Sequence, residues 1–342
     1  MESLLELHPG QWPEFFKSLG VPGFHGKSAA QWVFRKGAHQ WDEMTDLPTD
    51  LRKQLQAENP LCRSEVLQTS KARDGAVKIL LRFPGGSTTE AVGMPGTQGR
   101  TLCLSTQVGC PVRCVFCASG MDGLERNLTR SEILEQVIQL RKFQGEFHRI
   151  VVMGMGDIGF NLEEVLAALD SLLDEEGAGM AARRITVSTV APRGTLPALA
   201  KWGKPVSLAL SLHAPTDDLR HELVPGVAKR TIAETLTEAK ALFESTGREY
   251  TVEYVLLKGV NDSLQHATQL AQLLRGHRCH LNLIPYNEVE ELGWERPTQP
   301  AQEAFAEVLR KQGRSVTLRR SLGRSLDAAC GQLRRRQIPT TP

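Results

Sequence analysis

Three cysteines, Cys110, Cys114 and Cys117, fall within nine residues reading GCPVRCVFC, at a Cys-x3-Cys-x2-Cys spacing. Thiolates so close on one loop are metal ligands by type. A tetrahedral zinc site wants four ligands, usually two Cys-x2-Cys pairs, and the chain holds no second pair. A cubane 4Fe-4S cluster suits the loop better, because each cysteine takes one corner and the fourth iron stays open for a ligand. Buried cysteines that are neighbours without a metal, or an incomplete zinc knuckle, are the plainer alternatives.

The elements that must position this loop follow from the pattern of the remaining chain. At 342 residues it has room for two domains or one large barrel with extensions, and its 41% hydrophobic share is that of an ordinary globular protein. No run of eighteen apolar residues exists, so no membrane span or membrane partner is expected. The start, MESLLELHPGQW, has neither the basic region nor the cleavage site of a signal peptide, which points to the cytoplasm. Seven cysteines make an odd, sparse set that forms no disulfide framework, and a reducing compartment is what an oxygen-sensitive cluster needs. Net charge is only +2, yet Arg310, Lys311, Arg314, Arg319, Arg320, Arg324, Arg334, Arg335 and Arg336 cluster near the C-terminus. Such clustering favours a polyanion, with a solvated face as the ordinary alternative.

Residues 1–65 read as small helices, one around SAAQWVFRKG and one starting near Pro48. Lys27, Arg35, Lys36, Arg52 and Lys53 interleave there with Trp32, Phe34 and Trp41, either as an RNA-facing surface or as rings of a core. Residues 66–98 alternate in strand fashion around turns at Asp74-Gly75 and Gly85-Gly86, predicting a small sheet whose last strand carries Glu90. Over 99–320 strands and helices alternate. Strands are expected at TLCLST, RIVVMG, RITVST, VSLALSLH, YTVEYVLL, HLNLIPY and SVTLRR, with helices near 130–145, 161–174, 195–202, 231–246, 263–275 and 300–312. Thr129 and Glu132 form a capping box for the first of these helices. This alternation predicts an α/β fold with a parallel sheet, six βα units being two short of a closed eight-fold barrel. Active groups should then gather at strand C-termini, where GMGD, ST, SLH and PYN all lie. The segment 321–342 has weak periodicity and ends in a Pro/Thr-rich tail.

With Phe116 just before the last cysteine, the loop resembles the signature of the radical S-adenosylmethionine (SAM) superfamily. The likeness extends through TLCLSTQVGCPVRCVFCASG, ERNLT, GMGD, SLHAP, VEYVLL, VND, NLIPYN and DAACGQL, which together resemble the RlmN/Cfr family of adenosine methyltransferases from about Gly20 to Leu333. The resemblance implies an open six-unit radical SAM barrel, with an N-terminal helical accessory domain that helps hold structured RNA and a small β linker. It implies two cofactors: a 4Fe-4S cluster on Cys110, Cys114 and Cys117, and SAM on the open iron. By motif it places Gly156, Asp157, Ser188, Ser211, Leu212, His213 and Asn287 around SAM. A glycine after a strand lets backbone approach a ligand, and a carboxylate beside it can bind the SAM ammonium.

The same resemblance implies that Cys330 is methylated by one SAM through nucleophilic displacement. A second SAM is cleaved reductively, its 5′-deoxyadenosyl radical takes a hydrogen from the S-methyl group, and the methylene radical adds to adenine. Polar transfer from SAM fails there because the ring carbon is electrophilic. Cys103 would release the adduct through a transient disulfide with Cys330, and Glu90 would accept a proton; Cys62 and Cys279 lack such context and read as structural. The implied reaction is methylation at carbon 2 of adenosine in 23S rRNA at the peptidyl-transferase centre, and in tRNA next to the anticodon, with flavodoxin or ferredoxin as electron donor. Carbon 8 chemistry of the Cfr type is the alternative, although FHGKSAAQWVF and DEMTDLP look more like RlmN. Another is a divergent paralogue with a different RNA. Three departures motivate it: Gly156-Asp157-Ile158 for the usual Gly-Glu-Pro, Ser188-Thr189-Val190 for Ser-Gly, and Arg320 to Arg324 in a lead-in that is usually more acidic. An electron carrier or an RNA-binding protein without catalysis has no use for Glu90, Cys103 and Cys330 together.

Overall fold

A computed structural model describes residues 3–96, 99–319 and 329–333. The N-terminal region forms α1 (Trp12–Ser18), α2 (Phe24–Gln31) and α3 (Thr49–Glu58). Helix α2 runs on through a π-turn over Trp32–Lys36 and stops at Gly37, whose φ of 82° a side chain would resist. Trp12, Phe16, Phe34 and Trp41 are buried against one another, with ring centroids 5.8 Å apart for Trp12–Phe34 and 6.3 Å for Phe16–Trp41. Of the three interleaved rings, Phe34 and Trp41 are therefore core, and only Trp32 stays half-exposed beneath Lys36 at 3.7 Å.

Strands β1 (Glu65–Lys71), β2 (Val77–Arg82) and β3 (Thr88–Met94) pair antiparallel around the two predicted turns. They are not a sheet of their own. Register pairs Val92 of β3 with Cys103 of β4 (Thr101–Cys103), so the three strands extend one edge of a ten-stranded sheet. After β4 the chain makes a short hairpin, β5 (Gln107–Gly109) with β6 (Leu124–Asn127), then α4 (Arg130–Gln144), β7 (Arg149–Val152) and α5 (Leu162–Leu173). There follow β8 (Ile185–Thr189), α6 (Thr195–Trp202), β9 (Ser207–Ser211), α7 (Asp217–Leu223), α8 (Ile232–Thr246), β10 (Tyr250–Leu256), α9 (Leu264–Leu273), β11 (Cys279–Pro285), α10 (Gln299–Lys311) and β12 (Val316–Leu318). Strands β4, β7, β8, β9, β10, β11 and β12 are neighbours in that order and all parallel. The six crossovers between them are the predicted βα units of an open barrel.

Side chains alternate across each strand, and here the alternation separates core from site. Val187, Leu210, Leu212, Val252, Tyr254 and Leu283 face the helices and join the main core, whereas Ser188, Ser211, Glu253 and Ile284 line an inner cavity. Helix α4 begins on the Thr129/Glu132 capping box, and α8 on a second, Thr231/Glu234. Two elements lie outside the sequence expectation, the β5–β6 hairpin and α7, both too short to carry a period. Among the described residues no helix is long and apolar enough to cross a membrane. Arg320, Arg324, Arg334, Arg335, Arg336 and the Pro/Thr-rich tail lie outside the described residues. The described part of the basic cluster divides: Arg310 and Lys311 pair with acids of their own helix, while Arg319 enters the cavity.

Candidate active site

The inner cavity offers about 990 Å³ free of protein atoms, its open mouth included, and lies at the C-terminal strand ends. Ten of the residues singled out in the sequence line it: Cys110, Cys114, Cys117, Gly156, Asp157, Ser188, Ser211, His213, Asn287 and Cys330. Leu212 is between two of them yet turns into the outer core by strand alternation, and its backbone N–H donates to Glu253 O at 3.1 Å. Cys103 and Glu90 sit on the neighbouring strands β4 and β3.

The cysteine loop is bridged by the β5–β6 hairpin. Gly109 has φ 81°, and a Cβ there would come within 1.9 Å of Gly123 O, so only glycine closes the hairpin. Backbone groups then fix the loop from three sides: Cys110 N–H donates to Gly123 O (3.0 Å), Gly226 N–H to Val112 O (2.9 Å) and Val115 N–H to Leu223 O (3.1 Å). Trp294 Nε1 adds a bond to Val115 O at 2.9 Å, and Phe116 meets the His213 ring edge-on at 5.0 Å. Burial, and next the charge of Cys117, push the Cys110 thiol up to about 12. Burial and the other two sulfurs push Cys114 well up, and burial raises Cys117 against hydrogen bonds from Ser119. Sulfurs crowded in this way keep their protons until a metal replaces them, since metal charge offsets both burial and mutual repulsion. No three His, Cys, Asp or Glu side chains among the described residues are grouped to hold a single metal ion. A cubane makes no such demand, because each corner takes one thiolate, and the donor set fits it.

Gly156-Asp157 lines the same cavity. Gly156 has φ 97°, and a Cβ would meet Thr106 Oγ1 at 2.5 Å. Asp157 is buried and engaged with its own wall: Oδ1 accepts from Thr189 Oγ1 (2.7 Å) and Gly159 N–H (2.8 Å), and Oδ2 from Val190 N–H (2.7 Å). Burial raises its pKa against these bonds. Two departures from the family pattern are thus one structural unit, because the shortened acid binds the hydroxyl and amide of the altered Thr189-Val190 turn. Arg220 Nη2 and Arg230 Nη1 grip the same turn at Val190 O (2.7 Å) and Ala191 O (2.6 Å).

Ser188 Oγ and Ser211 Oγ are 3.2 Å apart across neighbouring strands. His213 has φ 64°, and its Nδ1 accepts from Val255 N–H at 3.1 Å. Burial, then Arg220, push its pKa down to about 3, so the ring is neutral. Asn261 of the VND motif supports this corner, donating to His213 O (2.9 Å) and Val255 O (2.7 Å). Asn287 Nδ2 donates to Cys330 O (3.0 Å), while its buried Oδ1 has no protein partner.

The DAACGQL segment is tied down beside the cysteine loop. Ala118 N–H donates to Gly331 O (2.8 Å), Ser119 Oγ to Leu333 O (2.6 Å) and Gln332 Nε2 to Glu288 O (2.9 Å). Cys103 is buried with Val92, Met155 and Leu333, and burial, then the charge of Cys330, push its thiol up to about 12. All seven cysteines are free, so the Cys103–Cys330 bond is not formed in this structure. Glu90 shares the Val92 face of β3, and its Oε1 is 2.8 Å from Lys78 Nζ, both side chains largely buried.

Sequence reasoning missed Glu253 and Arg319. Glu253 lines the cavity and accepts from Asn282 Nδ2 at 2.8 Å, with burial raising its pKa against the charge of Arg319. Its signal was in view, a carboxylate inside the apolar run YTVEYVLL. Arg319, whose pKa is raised first by Cys330, counted only as one of a basic cluster.

Family models match in two places. The Radical SAM superfamily model covers 104–271, and the ribosomal RNA large subunit methyltransferase N-terminal domain model covers 3–60. A protein of Rhodopirellula baltica described as a probable dual-specificity RNA methyltransferase RlmN is 43% identical over 335 residues, spanning 97% of this chain and 90% of that one. A protein of the same description from Thermosynechococcus vestitus is 42% identical over 94% of this chain and 95% of its own. The crystal structure of a radical SAM methyltransferase from Sphaerobacter thermophilus superposes with a TM-score of 0.94 at 40% identity, covering 98% of this chain and 99% of that one. The chain therefore belongs to the RlmN family of radical SAM RNA methyltransferases, enzymes that use a 4Fe-4S cluster and S-adenosylmethionine.

Proposed function

We propose that this RNA methyltransferase acts at carbon 2 of adenosine, in 23S rRNA and in tRNA beside the anticodon, by way of a methyl group carried on Cys330. The observation that carries this reading is the position of Cys330 on the wall of the cavity that Cys110, Cys114 and Cys117 line. The description of the relatives as dual-specificity enzymes supports the pair of RNA substrates.

Cys110, Cys114 and Cys117 would hold the cluster, and Asp157, Ser188, Ser211, His213 and Asn287 would surround SAM, with Gly156 and Leu212 contributing backbone. When bound, the cluster would supply the one electron needed to cleave SAM reductively. The chain's own residues do the rest. Asn287 holds the Cys330 backbone at the cavity wall. Glu90, buried beside Lys78, accepts the proton that the methylated ring carbon must lose. The ring radical left by the addition gives up one electron to the reducing system. Cys103, losing its proton, then attacks the Cys330 sulfur, forming the S–S bond as the sulfur–carbon bond breaks with its electron pair going to the transferred carbon, which takes up a proton to become the methyl group. Its burial keeps it protonated until that step. The electron comes from a small carrier such as flavodoxin or ferredoxin, and the reducing cytoplasm suits both cluster and thiols.

Reduced, reconstituted protein incubated with SAM and an rRNA fragment should release 5′-deoxyadenosine and 2-methyladenosine, measured by nucleoside mass spectrometry. 8-Methyladenosine would overturn the carbon 2 assignment, and RNA left unmodified by a cluster-loaded enzyme would overturn the substrate.

A further inference from the structure

Arg220 is a cation in the wrong place for a metal-free protein. It is 0% exposed on α7, the helix to which the cysteine loop is bonded through Leu223 O, with Gly226 N–H just beyond the helix adding a second bond. Nη2 donates to Val190 O, but Nε and Nη1 have no hydrogen-bond partner, and among the described residues no carboxylate forms an ion pair with it. Its neighbour Arg230 differs, pairing with Glu238 at 2.5 Å. Removing an unpaired guanidinium from water is costly, so something must supply opposite charge.

The acids around Arg220 are Asp217, three residues earlier on the same helix, and Asp157, which binds Val190 N–H while Arg220 binds Val190 O. Both acids are committed elsewhere. Asp157 accepts three hydrogen bonds from its own wall, and Asp217 Oδ1 accepts from Ile232 N–H at 2.6 Å. That leaves the cluster site itself: Leu223 of the same helix holds Val115, between Cys114 and Cys117, and packs in one buried cluster with Cys110. A thiolate-ligated cluster would place net negative charge next to this helix, and gain more on reduction.

We propose that Arg220 is the buried counter-charge of the 4Fe-4S centre, a positioning residue that raises its reduction potential from the protein side. The proposal rests on Cys110, Cys114 and Cys117 being the ligands. Net charge and hydrogen bonding around a cluster set its potential, and a fixed cation favours the more negative, reduced state.

The test is a potentiometric titration of the full-length, anaerobically reconstituted protein, followed by electron paramagnetic resonance, with iron counted per chain. Arg220→Met keeps volume and removes charge; it should bind a full cluster yet make reduction at least tenfold less favourable, which is 59 mV for a one-electron couple. Arg220→Gln should shift in the same direction, and Arg220→Lys should stay near wild type. Wild-type potential in the Met and Gln variants at full iron occupancy overturns the proposal. So does failure of both to fold while Arg220→Lys folds without iron, since the charge would then serve the polypeptide alone. If instead Cys114→Ala keeps an unchanged cluster, it is the ligand assignment that falls.

Discussion

The two walls of the cavity are held by different means. The cysteine loop is fixed mainly by backbone groups of Gly123, Leu223 and Gly226, with Trp294 adding a side-chain hydrogen bond. The second wall, from Gly156 to Ala191, is fixed by side chains: Asp157, Thr189, Arg220 and Arg230. Backbone bonds are indifferent to side-chain identity, so the loop could keep its motif whatever happened around it. A side-chain network changes only in concert. Two of the three departures from the family pattern fall on this second wall and touch there; the third, Arg320 to Arg324, lies outside the described residues.

The largest effect should come from the first wall. Cys114→Ala removes one corner ligand, and iron analysis should fall from four per chain toward zero, because two thiolates do not retain a cubane with an already open iron. Retention of four irons would show that the loop is not the binding site.

On the second wall, Asp157→Ala should cost about 3 kcal/mol in denaturant unfolding, since it strands the buried Thr189 hydroxyl and Val190 amide. Asp157→Glu overfills the same space. The loss should be recovered in part by adding Thr189→Gly, with a coupling energy of about 1 kcal/mol or more in the double-mutant cycle. Strict additivity would mean that the two departures are independent.

His213 gives a pH-dependent comparison. Its folded pKa, near 3, lies below the unfolded value of about 6.5, so the unfolded chain binds the extra proton. Stability from the neutral ring is complete above pH 6.5 and is lost as pH falls from there toward 3. Between pH 7 and 5 the metal-free protein should lose about 2 kcal/mol more than His213→Asn, whose side chain tolerates the left-handed backbone. Parallel pH curves would contradict a neutral buried ring. The smallest effect returns to the loop: Trp294→Phe removes one bond to Val115 O and should cost about 1 kcal/mol, leaving iron content unchanged.

Much of the barrel was legible because its periods are long. Each predicted strand and helix from TLCLST onward has a counterpart, and Thr129/Glu132 caps α4 as its spacing required. The cysteine loop was legible because ligand spacing is local. What could not be read was produced by three-dimensional pairing. The β1–β3 strands read as a small sheet leading into the core, and nothing in their alternation shows that Val92 will pair with Cys103 and make them part of the main sheet. Phe34 and Trp41 interleave with lysines and arginines in sequence but face inward on folding. Asp157 read as a shortened ligand for SAM, and its two bonds to the Thr189-Val190 turn depend on residues more than thirty positions away. Glu253 was visible as a charge in an apolar strand, but only the register of β10 turns it toward the cavity rather than the helices.

In the proposed mechanism Cys330 and Cys103 have separate tasks, and one experiment reads both. Cys103→Ala protein, loaded with cluster and given SAM, reductant and RNA, should still carry a methyl on Cys330 and should trap RNA covalently, as a complex that survives denaturant and shrinks to a nucleotide-sized remnant with RNase. Cys330→Ala under the same conditions should form neither methyl-protein nor methylated RNA. Free methylated RNA from Cys330→Ala, or no trapped RNA from a Cys103→Ala protein that binds the substrate, would contradict a methyl group carried on Cys330 and released by Cys103.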